Sequence, residues 1–65
     1  MKILVNGAWR DTRAGDVASA LKELGYADSV VATAVNGEFV PANSRPGARL
    51  ADGDSLEVLA PMQGG

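Results

Sequence analysis

Cysteine and histidine are both absent from this chain. The first absence excludes disulfides, thiolate metal sites and a thiol nucleophile. The second removes the side chain that most often moves protons near neutral pH. Without them no nucleophile–base pair can be assembled, and an enzyme is not expected. Basic charge is scarce as well: six Lys and Arg stand against eight Asp and Glu, for a net charge of −2 and a pI of about 4.7. Lys2, Arg10, Arg13, Lys22, Arg45 and Arg49 are scattered, so no basic stripe follows a nucleic-acid backbone. Long apolar runs are also missing. The N-terminal one, Ile3-Leu4-Val5, is too short for a signal-peptide core or a membrane crossing. The expectation is a cytoplasmic protein, with neither nucleic acid nor membrane as partner. The lack of disulfides suits a reducing compartment.

What remains suffices for one small core. The chain has 65 residues, 46% of them apolar, and at this size folding buries only about 60% of the unfolded surface. The pattern predicts the order β-β-α-β-β-β. Met1 to Asn6 reads as a strand closed by Asn6-Gly7, the favoured pair for a type I′ turn, with Ala8 to Arg13 returning as a polar edge strand. Asp16 to Leu24 reads as a helix: Asp16 is a good N-cap, and Val17, Ala20, Leu21 and Leu24 form one apolar stripe. Gly25 stands where a left-handed C-terminal cap belongs. Val30 to Asn36 is a β-branched run closed by Asn36-Gly37, and Glu38 to Val40 returns from it. Ala42 to Ala48 reads as loop and Asp52-Gly53-Asp54 as a turn. Ser55 to Ala60 alternates as a last strand, with Leu56, Val58 and Ala60 on one face and Ser55, Glu57 and Leu59 on the other. The sum is an α+β two-layer domain, a mixed sheet with one helix across one face.

The unusual feature is the C-terminal Pro61-Met62-Gln63-Gly64-Gly65. Two terminal glycines arise by chance, at this chain's own glycine frequency, in roughly 1 or 2 chains per hundred. A residue without Cβ passes through a slot too narrow for any other. Extended, residues 61–65 reach at most ~17 Å from the domain, enough to place Gly65 in a partner's active site while the body docks outside. Pro61 fixes one φ at the base. A carboxylate is a poor electrophile, and ATP activates it as an acyl-adenylate, which asks no catalytic side chain of the carrier. The other reading is plain: terminal residues are commonly disordered, and glycine is tolerated there.

With the tail and the topology in hand, the sequence resembles the ThiS family, the ubiquitin-like β-grasp sulfur carriers for the thiazole half of thiamine. The resemblance rests on Met1-Lys2-Ile3-Leu4-Val5-Asn6-Gly7, on Val35-Asn36-Gly37-Glu38-Phe39-Val40-Pro41, on Leu50-Ala51-Asp52-Gly53-Asp54-Ser55-Leu56-Glu57-Val58 and on Gly64-Gly65. It covers essentially the whole chain, and the molybdopterin-synthase small subunit shares the fold and the Gly-Gly end. It implies a β-grasp domain over residues 1–60, with about five strands and one main helix, and a flexible tail over 61–65. It further implies that an E1-like adenylyltransferase, using Mg-ATP, converts the Gly65 carboxylate to an acyl-adenylate. A persulfide sulfur donor protein then supplies the sulfur of a Gly65 thiocarboxylate, which thiazole synthase consumes. Gly64 gives steric access, and the carrier binds no cofactor or metal of its own. Where many members carry a basic residue after the Val-Pro pair, this chain has Ala42, and Arg45 or Arg49 is the candidate substitute.

Other residues admit two readings each. Phe39 fits an exposed docking contact or a core side chain. Met62 fits a flexible partner contact or packing on the last strand. For Trp9, a half-buried cover of the sheet outweighs an interface anchor. Asp52 and Asp54 fit turn chemistry far better than a metal site. The rival functions are a carrier for another sulfur pathway, a ubiquitin-like modifier joined to lysines, and a β-grasp interaction module with an idle tail.

Overall fold

The computed structural model describes residues 1–27 and 29–60. Strand β1 (Lys2–Val5) and strand β2 (Ala8–Asp11) form the first hairpin, and strand β3 (Ala32–Val35) and strand β4 (Glu38–Val40) form the second. Both turns are Asn-Gly with positive φ at each residue: 49° and 85° at Asn6-Gly7, 51° and 84° at Asn36-Gly37. That is the mirror-image turn whose twist matches the flanking strands. Strand β5 (Ser55–Leu59) lies at the centre of a five-stranded sheet of order β2-β1-β5-β3-β4. It runs parallel to β1 and antiparallel to β3, and the two hairpins are antiparallel within themselves. This is the mixed sheet of a β-grasp fold.

Helix α1 (Val17–Glu23) crosses one face of the sheet. Asp16 is its N-cap and accepts from the Ser19 amide at 2.7 Å. Gly25 follows with φ +92°, as expected of a residue that lets the chain turn out of a helix. Val17, Ala20 and Leu21 are buried against Ile3, Val5, Leu56 and Val58, with Leu24 partly buried beside them. The apolar stripe read from the sequence is therefore the core face of the helix. The loop entering the helix is held by Thr12, whose hydroxyl donates to Glu23 and accepts from the Ala14 amide. Leu50 is anchored by its amide donating to the Gly15 carbonyl at 3.0 Å.

Four expectations need correction, and the first is strand β2, which ends at Asp11 where the polar return strand was expected to reach Arg13. The segment Ala42–Gly47 is a 3-10 helix and not an irregular loop. Its Asn, Ser and Pro residues suit the tight i→i+3 turn as well as they suit coil. Strand β3 begins at Ala32, two residues later than the β-branched run suggests, because pairing with β5 starts at Ala32 opposite Leu59. Trp9 is 61% exposed and does not act as a half-buried cover. It stands opposite Leu4 on the sheet face away from the helix, and among the described residues no element covers it. No helix is long and apolar enough to cross a membrane among the described residues.

Candidate functional site

The sequence reading expects the chemistry on residues 61–65, which follow β5 in the chain. Gly65, Gly64, Met62 and the rest of 61–65 lie outside the described residues. What is described is the base from which they depart and the surfaces around it. Strand β5 is paired on both edges: β1 pairs it through Val5↔Leu56, and β3 pairs it through Ala32↔Leu59. Its C-terminal end lies beside the start of β3, where Val30, Val31, Ala32, Leu59 and Ala60 line an open cleft of about 300 Å³. Apolar residues dominate that lining, so the point of departure offers van der Waals contact and few polar groups.

The open face of the sheet follows from the registers, since paired residues share a face. Trp9 pairs with Leu4, Leu4 with Ser55, Glu57 with Ala34, Ala34 with Phe39, and Leu59 with Ala32. Phe39 is 67% exposed and Leu59 65% exposed. Of the two readings of Phe39, the structure places it on the surface. Small Ala32 and Ala34 between them keep this part of the sheet low, so both large side chains stand clear of their neighbours. Sequence alternation already put Leu59 on the side of Ser55 and Glu57. A leucine on an otherwise polar face is the sequence signal for an exposed apolar contact.

Arg45 sits elsewhere. From the 3-10 segment it donates through Nε to Thr33 Oγ1 at 3.2 Å and through a terminal nitrogen to the Val31 carbonyl. Thr33 is buried and donates its own hydroxyl to the Val40 carbonyl at 2.8 Å. Two of the three guanidinium nitrogens thus tie the 3-10 segment to β3 and to the residue before it. Arg45 also borders a groove of about 260 Å³ beside Leu21, Lys22 and Tyr26 of the helix side. The structure therefore brings Phe39 and Leu59 onto one face and leaves Arg45 on the opposite one.

The acidic turn is structural. Asp54 accepts from the Ala51 amide at 2.8 Å and from the Asn36 side chain at 3.1 Å. These bonds, the Ala51 amide first, hold its carboxyl below the usual range. Asp52 accepts from the Lys2 amide at 2.8 Å. Both carboxylates are engaged by the chain's own donors, as the turn reading of Asp52-Gly53-Asp54 expects. Among the described residues no group of three His, Cys, Asp or Glu side chains is arranged to hold a metal ion.

A family model for ThiS matches residues 3–65. The chain belongs to the ThiS family. The crystal structure of thiamine biosynthesis protein ThiS from Geobacter metallireducens is similar over 100% of both chains, with 29% identity and a TM-score of 0.84. A solution NMR structure of a thiamine biosynthesis protein from the same organism is similar over 100% of this chain and 88% of that one, with 29% identity and a TM-score of 0.80. Among curated proteins, none matches the chain. Membership of this ubiquitin-like β-grasp family supports a small sulfur carrier in thiamine biosynthesis.

Proposed function

We propose that this ThiS-family chain carries sulfur as a thiocarboxylate on Gly65, made through an acyl-adenylate, for assembly of the thiazole of thiamine. The carrying observation is that the family match runs through residue 65 and so includes Gly64-Gly65. In the reaction the Gly65 carboxylate attacks the α-phosphorus of ATP in the adenylating partner, and pyrophosphate leaves. The terminal sulfur of a persulfide donor protein then attacks the acyl carbon, and AMP leaves. A cysteine thiolate of the partner proteins then attacks the donor's inner sulfur, forming a disulfide with it, and the thiocarboxylate leaves. Thiazole synthase accepts the sulfur.

The carrier contributes geometry and no acid–base group. Its central strand ends at Leu59, beside the face bearing Phe39 and Leu59. An apolar face of this kind is a docking surface when a partner covers it. Phe39 and Leu59 would seat the body on the adenylating partner, Met62 would extend that contact, and Gly64 would thread the narrow slot. Arg45, on the helix side, would meet a partner only through the N–H groups of its terminal nitrogens that Val31 does not take.

The test is growth of a thiazole-requiring strain that lacks its own carrier. The full chain should restore growth without thiamine, and a chain ending at Gln63 should not. Growth restored by the truncated chain would overturn the proposal. Protein conjugates that vanish on deletion of Gly65, with no rescue of growth, would point to a protein modifier instead.

A further inference from the structure

The backbone of β1 stops pairing with β5 at Leu56, where the Asn6 amide donates to the Leu56 carbonyl at 3.1 Å. Beyond this the chain turns away into Gly7. The ladder nevertheless continues. Asn6 Nδ2 donates to the Val58 carbonyl at 3.0 Å, and the Val58 amide donates to Asn6 Oδ1 at 2.8 Å. In a parallel ladder the two backbone groups of Val58 would be met by a carbonyl and an amide of the neighbouring strand. One side-chain amide supplies both, two residues further along β5 than the backbone of β1 reaches. On the other edge Val58 stands opposite Thr33 of β3. Both backbone groups of Val58 are thus spent on Asn6, while Glu57 and Leu59 on either side of it stand opposite Ala34 and Ala32 of β3, immediately before the chain leaves the sheet at Leu59–Ala60.

The second Asn-Gly turn does the corresponding work at the other end of the same strand. The Asn36 amide donates to the Ser55 carbonyl at 2.8 Å, and its Oδ1 accepts from the Ser55 amide at 2.9 Å. The two asparagines have nearly the same backbone conformation, with φ of 49° and 51°. They differ in which end of β5 they hold. We infer that the Asn6 side-chain amide is the positioning residue for the carrier segment: it fixes the direction in which the chain departs from β5, while Asn36 only closes the strand's start. This rests on the carrier reading above. Without the Asn6 amide, the last residues of β5 would be paired on one edge only and would open locally. The acyl group would then be presented to the partner over a wider range of orientations, and positioning errors of this kind slow a reaction without weakening docking.

The test compares Asn6→Gly with Asn36→Gly. Glycine keeps the positive φ without strain and removes only the amide. Hydrogen exchange on the free protein reads the clamp with no partner involved. Asn6→Gly should speed exchange of the Val58 amide, which donates to Asn6 Oδ1, at least tenfold, and Asn36→Gly should leave it unchanged. In adenylation by the E1-like partner, Asn6→Gly should lower kcat about tenfold with KM for the carrier within about twofold. Asn36→Gly should keep both values after a comparable loss of Tm. Unchanged exchange at Val58 in Asn6→Gly, or equal kinetic losses in the two variants, would overturn the inference. A wild-type chain that is never adenylated would overturn the carrier reading and the kinetic half of this one, and the exchange experiment would still decide whether Asn6 holds the end of β5.

Discussion

Replacing Phe39 by Ala separates docking from folding. Its ring stands on the open face with 67% of its surface exposed. A phenylalanine carries roughly 200 Å² of buriable surface, so roughly 130 Å² is free for a partner, worth about 3 kcal/mol at 25 cal/mol per Å² if fully covered. Alanine keeps part of that contact and interfaces return only part of the area term, so a loss of about 1–2 kcal/mol is expected. That corresponds to a rise of roughly 5- to 30-fold in KM for the carrier. Folding should lose about 1 kcal/mol or less, because only a third of the ring is covered within the domain and the strand position is half solvated. The assay is ATP–pyrophosphate exchange by the adenylating partner at varied carrier concentration, run beside a thermal melt of each protein. An unchanged KM would refute the docking role of this face. A melt as damaged as that of a core variant would refute the surface placement.

Three further outcomes follow from the same structure. Leu56→Ala, at a fully buried position of the central strand, should cost about 3 kcal/mol or more. That is a large part of the stability of a domain this size, and urea unfolding should show the chain largely unfolded or close to it. Gly64→Ala should leave the melt unchanged and lower the adenylation rate, since only the partner's slot feels the added methyl; an equal rate would count against a narrow slot. Acid should weaken the fold through Asp16, Glu23 and Asp54. The Ser19 amide at Asp16, the Thr12 hydroxyl at Glu23 and the Ala51 amide at Asp54 each lower the carboxyl's pKa. A lowered folded-state pKa gives stability that is complete above the ordinary carboxylate range, about pH 4, and is lost as pH falls through the lowered value. Urea midpoints measured downward from neutral pH should decline in that window, and Glu23→Gln should decline less steeply than wild type.

What was legible in the sequence was local. Asp16, the stripe from Val17 to Leu24, and Gly25 encode a helix with its start and stop within ten residues, and the structure reproduces it. Two Asn-Gly pairs encode two hairpins because few other residues accept positive φ twice in succession. Leu56 and Val58 announce a strand with one buried face, and both are buried. What escaped depends on distance. Asn6 reads as a turn residue, and its grip on Val58 spans 52 positions of chain, which no local pattern records. Arg45 reads as a partner-contact cation, yet the 3-10 segment folds it onto Thr33 and Val31. Trp9 reads as a cover for the sheet, but whether a second layer lies over it is a property of the whole fold. The family resemblance is legible in scattered blocks because those blocks include both hairpin turns, the Asp-Gly-Asp turn and the strand that precedes residues 61–65.

The most direct measurement is the intact mass of the chain after incubation with the adenylating partner, Mg-ATP and a persulfide donor. A gain corresponding to one sulfur in place of one oxygen, lost when Gly65 is deleted or followed by another residue, is the predicted result. An unchanged mass while the partner consumes ATP in the presence of the chain, or a gain that persists without Gly65, would contradict it.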